Sequence, residues 1–259
     1  MNAAPKQLLV IAGHDPSGAG LDADADAVSD LGLEFHGVAT ALTEQDANGV
    51  RAIGARAPRT WLLEAFAFVL RDLGAVKFGL LPGAEHVHAA RDLVRSLRER
   101  HGAHFPVVVD PVIAASSGGR FLTTEDVLVL KRELASERVV LTPNLAELAE
   151  LTRTDVHALE RGLELRLTAA RELLSLGADA VIVKGGHGRE DPVRDLVARA
   201  DGRFQWLLHA RVPRGKVRGS GCRFATRLAA RLAQGVELET AAADAAEHVA
   251  ARIRAAAAG

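Results

Sequence analysis

Short, unbroken apolar runs, each closed by glycine or a polar residue, constrain this chain more than any other feature. Leu8-Leu9-Val10-Ile11-Ala12 precedes Gly13-His14-Asp15-Pro16-Ser17-Gly18-Ala19-Gly20, and Ala75-Val76-Lys77-Phe78 precedes Gly79-Leu80-Leu81-Pro82. Pro106-Val107-Val108-Val109 ends in Asp110, Val139-Val140-Leu141 in Thr142-Pro143-Asn144, and Ala180-Val181-Ile182-Val183-Lys184 in Gly185-Gly186-His187-Gly188. Runs without polar alternation mark strands buried on both faces, as in parallel sheets. Helical patterns separate them. They cover Trp61 to Leu73 (apolar at 62, 66, 69 and 70), Glu85 to Arg100, and Thr124 to Leu134 capped by Thr123 or Thr124. A further stripe joins Leu159, Leu163, Leu167, Ala170 and Leu174, and an Ala-rich helix runs from about Glu239 to Arg254. His36 to Leu42 reads as the second strand with a polar loop, Thr43 to Gly49, behind it; Val193 to Ala198 and Phe204 to Val212 read as a hairpin. His86 and His88 lie on different helical faces and are expected in solvent.

This alternation predicts one α/β domain over residues 1–259, with a mostly parallel central sheet and helices on both faces. Ligands of open α/β sheets bind beyond the carboxyl ends of the strands, so the glycine and polar closures are expected to converge on one site.

The totals narrow the function. Of 259 residues, 32 are basic and 33 acidic, and the net charge of -1 gives no support to a nucleic-acid or membrane-surface partner. The single cysteine excludes an internal disulfide and a cysteine-based zinc site. No apolar run approaches the roughly 20 residues that span a bilayer. Met1 to Gln7 lacks the parts of a signal peptide, so a cytoplasmic protein is expected. No Gly-x-x-x-x-Gly-Lys-Ser/Thr occurs, and no Gly-x-Gly-x-x-Gly follows the first strand, which disfavours P-loop and Rossmann sites.

Arg218-Gly219-Ser220-Gly221-Cys222-Arg223 opens a helix read as Arg223 to Gln234 and closed by Gly235. A helix start offers unpaired N–H groups and the positive end of a dipole, and glycines let backbone close on an anion. The turn is therefore a candidate phosphate cradle, and a thiol there is expected to lose its proton more readily than a free one. A helix cap beside a buried thiol is the plainer alternative. Asp110, at a strand end, suits a magnesium ion or a phosphate, or a cap. Asn144 and Glu147 have the spacing of an N-cap and its partner, which does not stop Glu147 from facing a metal-bound phosphate. Lys184 suits phosphate charge, and the Gln45 amide suits either a flat nitrogenous ring or solvent. Asp22, Asp24 and Asp26 share no helical face and read as first-turn acids that favour the dipole.

Several segments together resemble the bacterial hydroxymethylpyrimidine/phosphomethylpyrimidine kinases of thiamine biosynthesis, within the ribokinase-like superfamily. They are Ile11-Ala12-Gly13 with Asp15-Pro16-Ser17-Gly18, Thr40-Ala41-Leu42, Val109-Asp110-Pro111-Val112, Ser117-Gly118, Leu141-Thr142-Pro143-Asn144-Leu145 with Glu147, Val183-Lys184-Gly185-Gly186-His187, and Gly219-Ser220-Gly221-Cys222. The resemblance implies ATP- and magnesium-dependent phosphorylation of a pyrimidine's hydroxymethyl group and then of the monophosphate, by a homodimer. It implies an anion hole of Gly219, Ser220, Gly221 and Cys222, with Cys222 in the general-base position. Asp110, Asn144 and Glu147 would arrange magnesium and phosphates, and Lys184 would contact the phosphates. Gly13, Asp24, Gln45, Leu80 and Val112 would line the pyrimidine pocket.

The chain departs from the family pattern in places. Gly18-Ala19-Gly20 is one residue short, His14 replaces a small hydroxyl residue, and Ser116 and Gly119 replace a lysine and an acid. Arg218 and Arg223 stand where His and Thr are common. These departures leave the cradle intact and bear on substrate identity and the second phosphorylation. The alternatives are a pyridoxal kinase-like enzyme and a non-catalytic pyrimidine sensor on the kinase fold.

Overall fold

The computed structural model describes residues 6–46, 49–115, 118–186, 188–212 and 217–258. The apolar runs become the middle of one sheet. β1 (Gln7–Asp15) lies between β3 (Glu34–Asp46) and β5 (Leu73–Phe78), and the sheet continues through β6 (Val107–Val109), β7 (Val140–Leu141) and β8 (Ala180–Val183). All of these neighbours pair in parallel. Antiparallel strands close both edges: β4 (Gly49–Ala55) beside β3, and the hairpin of β9 (Val193–Arg199) and β10 (Phe204–His209) beside β8. The short β2 (Ala19–Gly20) folds back on the end of β1.

Because neighbouring strand residues face opposite ways, each run feeds two cores. Leu9 and Ile11 join Trp61, Leu93, Leu130 and Leu173 under α2 (Pro58–Val69), α3 (Ala84–His101), α4 (Thr124–Ala135), α5 (Leu145–Thr152), α6 (Val156–Arg161) and α7 (Leu163–Ser175). Leu8, Val10 and Ala12 join Phe224 and Leu228 under α1 (Leu21–Asp26), α8 (Ser220–Ala233) and α9 (Leu238–Ala258). Helices thus cover both faces, as expected. α8 and α9 pack on each other, and both feed this second core with small side chains: Ala225, Ala229, Ala230 and Ala233 from α8, and Ala241, Ala242, Ala245 and Ala246 from α9. Gly74 continues this small-residue packing into the sheet, since a Cβ there would lie 2.7 Å from the Ala233 Cβ.

The structure corrects four local readings. Thr43 to Asp46 is strand, not loop, because β3 runs on to pair with β4. The inner face of α2 is Trp61, Ala65 and Val69, while Phe66 and Leu70 face outward. Trp61 sets that phase: its indole N–H donates to Nδ1 of His86 at 3.1 Å. His86 is therefore buried rather than solvated. The Leu159–Leu174 stripe spans two helices broken at Gly162, and the buried Arg166 donates to the carbonyls of Leu159 (2.7 Å) and Glu160 (3.0 Å) where α6 stops.

Candidate active site

The site forms where β1, β5, β6, β7 and β8 end and α8 begins. Gly219 caps α8 at φ 70, a left-handed conformation that suits glycine, and a Cβ there would lie 2.9 Å from that of Ala23. The helix starts at Ser220, three residues before the sequence reading, so Cys222 sits inside its first turn rather than ahead of it. The N–H groups of that turn have no intrahelical acceptors, which leaves them for an anion. Gly221 lies close against Lys184 and Asp110: a Cβ there would stand 3.1 Å from Lys184 Nζ and 3.6 Å from Asp110 Oδ2. The first turn of α8, the lysine and the aspartate are thereby brought together from two strand ends, β6 and β8, and a helix.

Lys184 and Asp110 form an ion pair at 2.7 Å, and Thr142 donates to the same Asp110 oxygen at 3.3 Å. Burial works against the Lys184 charge, but Asp110 and Glu147 hold it above the usual lysine range. The Asn144–Glu147 capping box is present: Asn144 N–H donates to Glu147 Oε2 at 2.7 Å, and Glu147 N–H to Asn144 Oδ1 at 2.9 Å. It presents Glu147 close to the pair. Burial, reinforced by Asp110 and opposed by Lys184, pushes the Glu147 carboxyl up to about 7.

Cys222 reverses an expectation. The residue is half-buried, and desolvation of its sulfur, with Asp24 and Asp110 adding negative charge, pushes the thiol up to about 12. Lys77 and Lys184 pull the other way and do not prevail. The helix dipole favours a thiolate, but a thiol removed from water between two carboxylates stays protonated.

Gly13 and Leu80 meet at the ends of β1 and β5, where a Cβ on Gly13 would lie 2.9 Å from Leu80 Cδ2. Thr40 fixes the Leu80 carbonyl at 2.6 Å. Val112 follows Asp110 and bonds back to its carbonyl at 2.8 Å. The Gln45 backbone pairs with Val50, and its side chain, like residues 116, 117 and 187, lies outside what the structure describes. Asp24 is corrected: it is fully buried, and both its oxygens receive the ammonium of Lys77 at 3.0 Å, so it supports the site from below rather than lining a pocket.

Other supporting residues escaped sequence reasoning. Asp195 accepts the Gly185 N–H at 2.6 Å and pairs with His209 at 3.0 Å. Arg211 donates to the carbonyls of Gly186, Gly188 and Glu190 at 2.8 to 3.0 Å. Together they fasten the glycine loop that follows Lys184. The signals were an aspartate inside the apolar run of β9 and a lysine, Lys77, inside that of β5.

The family model described as phosphomethylpyrimidine kinase matches residues 15–258. The chain belongs to the phosphomethylpyrimidine kinase family. A hydroxymethylpyrimidine/phosphomethylpyrimidine kinase of Rhizobium meliloti (strain 1021) is 35% identical over 237 residues, covering 89% of this chain and 84% of the relative. That of Bacillus subtilis (strain 168) is 34% identical over 238 residues, covering 90% and 83%. Among solved structures, the phosphomethylpyrimidine kinase of Clostridium difficile 630 superposes with a TM-score of 0.74 at 26% identity, covering 96% of this chain and 99% of that one. The Bacillus subtilis pyridoxal kinase in complex with ADP superposes with a TM-score of 0.83 at 26% identity, covering 97% and 92%. The fold is accordingly ribokinase-like, and the site belongs to an ATP-dependent kinase.

Proposed function

We propose that this kinase transfers the γ-phosphoryl group of ATP first to the hydroxymethyl oxygen of 4-amino-5-hydroxymethyl-2-methylpyrimidine and then to the resulting monophosphate, in thiamine biosynthesis. One observation carries the reading. The glycine-built first turn of α8 faces the Lys184–Asp110 pair closely, so that a Cβ on Gly221 would lie 3.1 Å from Lys184 Nζ. Gly219, Ser220 and Gly221 receive the transferring phosphoryl group through backbone N–H groups, and Lys184 neutralises its charge. Such catalysis consists mainly of positioning and charge stabilisation.

Asp110 and Glu147, with the Asn144 cap, suit a magnesium ion that binds chiefly through phosphates and water. Two oxygen donors are enough for that role, and one Glu147 oxygen is left over by the capping box. When bound, the ion offsets phosphate charge. Gly13, Leu80 and Val112, with Gln45, hold the ring. Cys222 stands beside the acceptor oxygen as a neutral thiol that orients it. The loose transition state asks little of a base, so the acceptor proton can leave through water or the phosphoryl oxygens. The protein acts in the cytoplasm as a homodimer of single-domain subunits. The outward Leu63 of α2 and Leu70 just beyond its end are suited to an interface, and light scattering on the purified protein reads the assembly.

Purified protein with ATP and magnesium should release ADP on addition of the hydroxymethylpyrimidine and again on addition of its monophosphate. No turnover with either overturns the reading. Pyridoxal is the second candidate acceptor, because Staphylococcus aureus pyridoxal kinase superposes with a TM-score of 0.85. Parallel turnover of the two acceptors separates them. A binding-only sensor is disfavoured, because the cradle, Lys184, Asp110 and Glu147 stand assembled.

A further inference from the structure

A charged network without an assigned role lies beneath the cradle. Lys77 on β5 and Asp24 on α1 are both fully buried, with Nζ 3.0 Å from each carboxylate oxygen. Thr226 on α8, also fully buried, donates to Asp24 Oδ1 at 2.7 Å. Thr226 lies one helical turn beyond Cys222 and so shares its face of α8. Lys77 reaches the strand ends themselves: a Cβ on Gly79 would lie 2.9 Å from its Nζ. Two lysines therefore bracket the first turn of α8. Lys184 stands at Gly221, in contact with Asp110, and Lys77 lies underneath, sealed from water.

Stability alone is a poor reason for such a pair. A buried ion pair is costly to desolvate, and well-packed apolar residues of similar volume often replace it without loss. A fixed cation shielded from water, by contrast, acts strongly on charge that develops nearby. Three elements meet in this network, so it also fixes the height of α8 above the sheet.

We propose that Lys77, held by Asp24 and Thr226, is a positioning residue of the phosphoryl-transfer site that supplies fixed positive potential from behind the cradle. This rests on the kinase reading above and adds to it a residue that touches neither substrate nor nucleotide. It predicts a selective effect on the transferring phosphoryl group, with little on the pyrimidine or on ADP alone.

The test is the double variant Lys77→Met/Asp24→Leu, which removes both charges and leaves no buried ion unpaired. The freed Thr226 hydroxyl can bond the carbonyl one turn back. Affinity for ADP with magnesium and aluminium fluoride, a mimic of the group in flight, is measured by calorimetry beside ADP alone. The folded variant should lose about 10- to 100-fold for the mimic and keep ADP affinity, with kcat falling by a similar factor and pyrimidine KM unchanged. Should the double variant fail to fold, Thr226→Val and Thr226→Ser decide: Val weakens mimic binding several-fold and Ser restores it. Wild-type affinity for the mimic in the double variant, or in Thr226→Val where only that folds, overturns the inference. Wild-type protein that does not bind the mimic overturns the kinase reading instead.

Discussion

The molecule contains the same ion pair twice, in two settings. Lys77–Asp24 is closed, with neither side chain reaching solvent and both carboxylate oxygens on one ammonium. Lys184–Asp110 is held through one oxygen, and its lysine side chain is 13% exposed, facing the cradle. A closed pair has no second partner to take and contributes shape and field. An open pair can trade part of its bonding for an incoming phosphate. Identical chemistry is thus given different work by access to water.

The two lysines should fail differently. Lys77→Met leaves Asp24 as a buried charge without its partner, and urea unfolding should show a loss of about 3–5 kcal/mol. Lys184→Met should instead cost about 10²- to 10³-fold in kcat, in a coupled ADP assay, with a much smaller loss in unfolding free energy. Equal stability losses in the two variants would break the comparison. A smaller effect is expected at the thiol. Cys222→Ser should keep kcat within about tenfold, below the roughly 10²- to 10⁴-fold that acid–base groups contribute. Because burial raises the thiol, the pH–rate profile should show no limb in the ordinary cysteine range, about 8.5; a limb there that vanishes in Cys222→Ser would restore the thiolate as base.

The smallest effects concern two histidines with opposite signs. Asp195 raises His209, so the stability it adds is complete below its ordinary value of 6.5 and is lost as pH rises through the folded value. Burial lowers His86, which accepts the Trp61 N–H while neutral; its contribution is complete above 6.5 and is lost as pH falls through the folded value. Urea midpoints of His209→Asn and His86→Asn against wild type, at pH 5.5 and 8, should therefore diverge in opposite directions. His209 supports the loop behind Lys184, so its variant also reports how far the open pair depends on that support.

The parallel core was legible because apolar runs such as Val107-Val108-Val109 have one economical placement, between two helical layers. The capping box at Asn144 and Glu147 was legible because its information is local. What remained hidden depended on distant partners. Thr43 to Asp46 is polar and becomes strand only because β4 returns alongside it. Nothing near His86 in sequence announces its partner Trp61. Asp24 resembled a first-turn acid, and its partner is 53 residues away. The direction of the Cys222 shift needed the enclosure of the sulfur, which a helix start alone does not disclose.

The buried alanines of α8 and α9 bear on how the first turn of α8 can be tuned. Methyl groups have no rotamers to absorb a displacement, so an enlargement among them, or at Gly74 against Ala233, is passed to α8 as movement of the whole rod. The far end of that rod is the turn proposed to receive the phosphoryl group. Substitutions remote from every reacting atom, in a stretch that looks like inert filler, should act as fine adjusters of turnover.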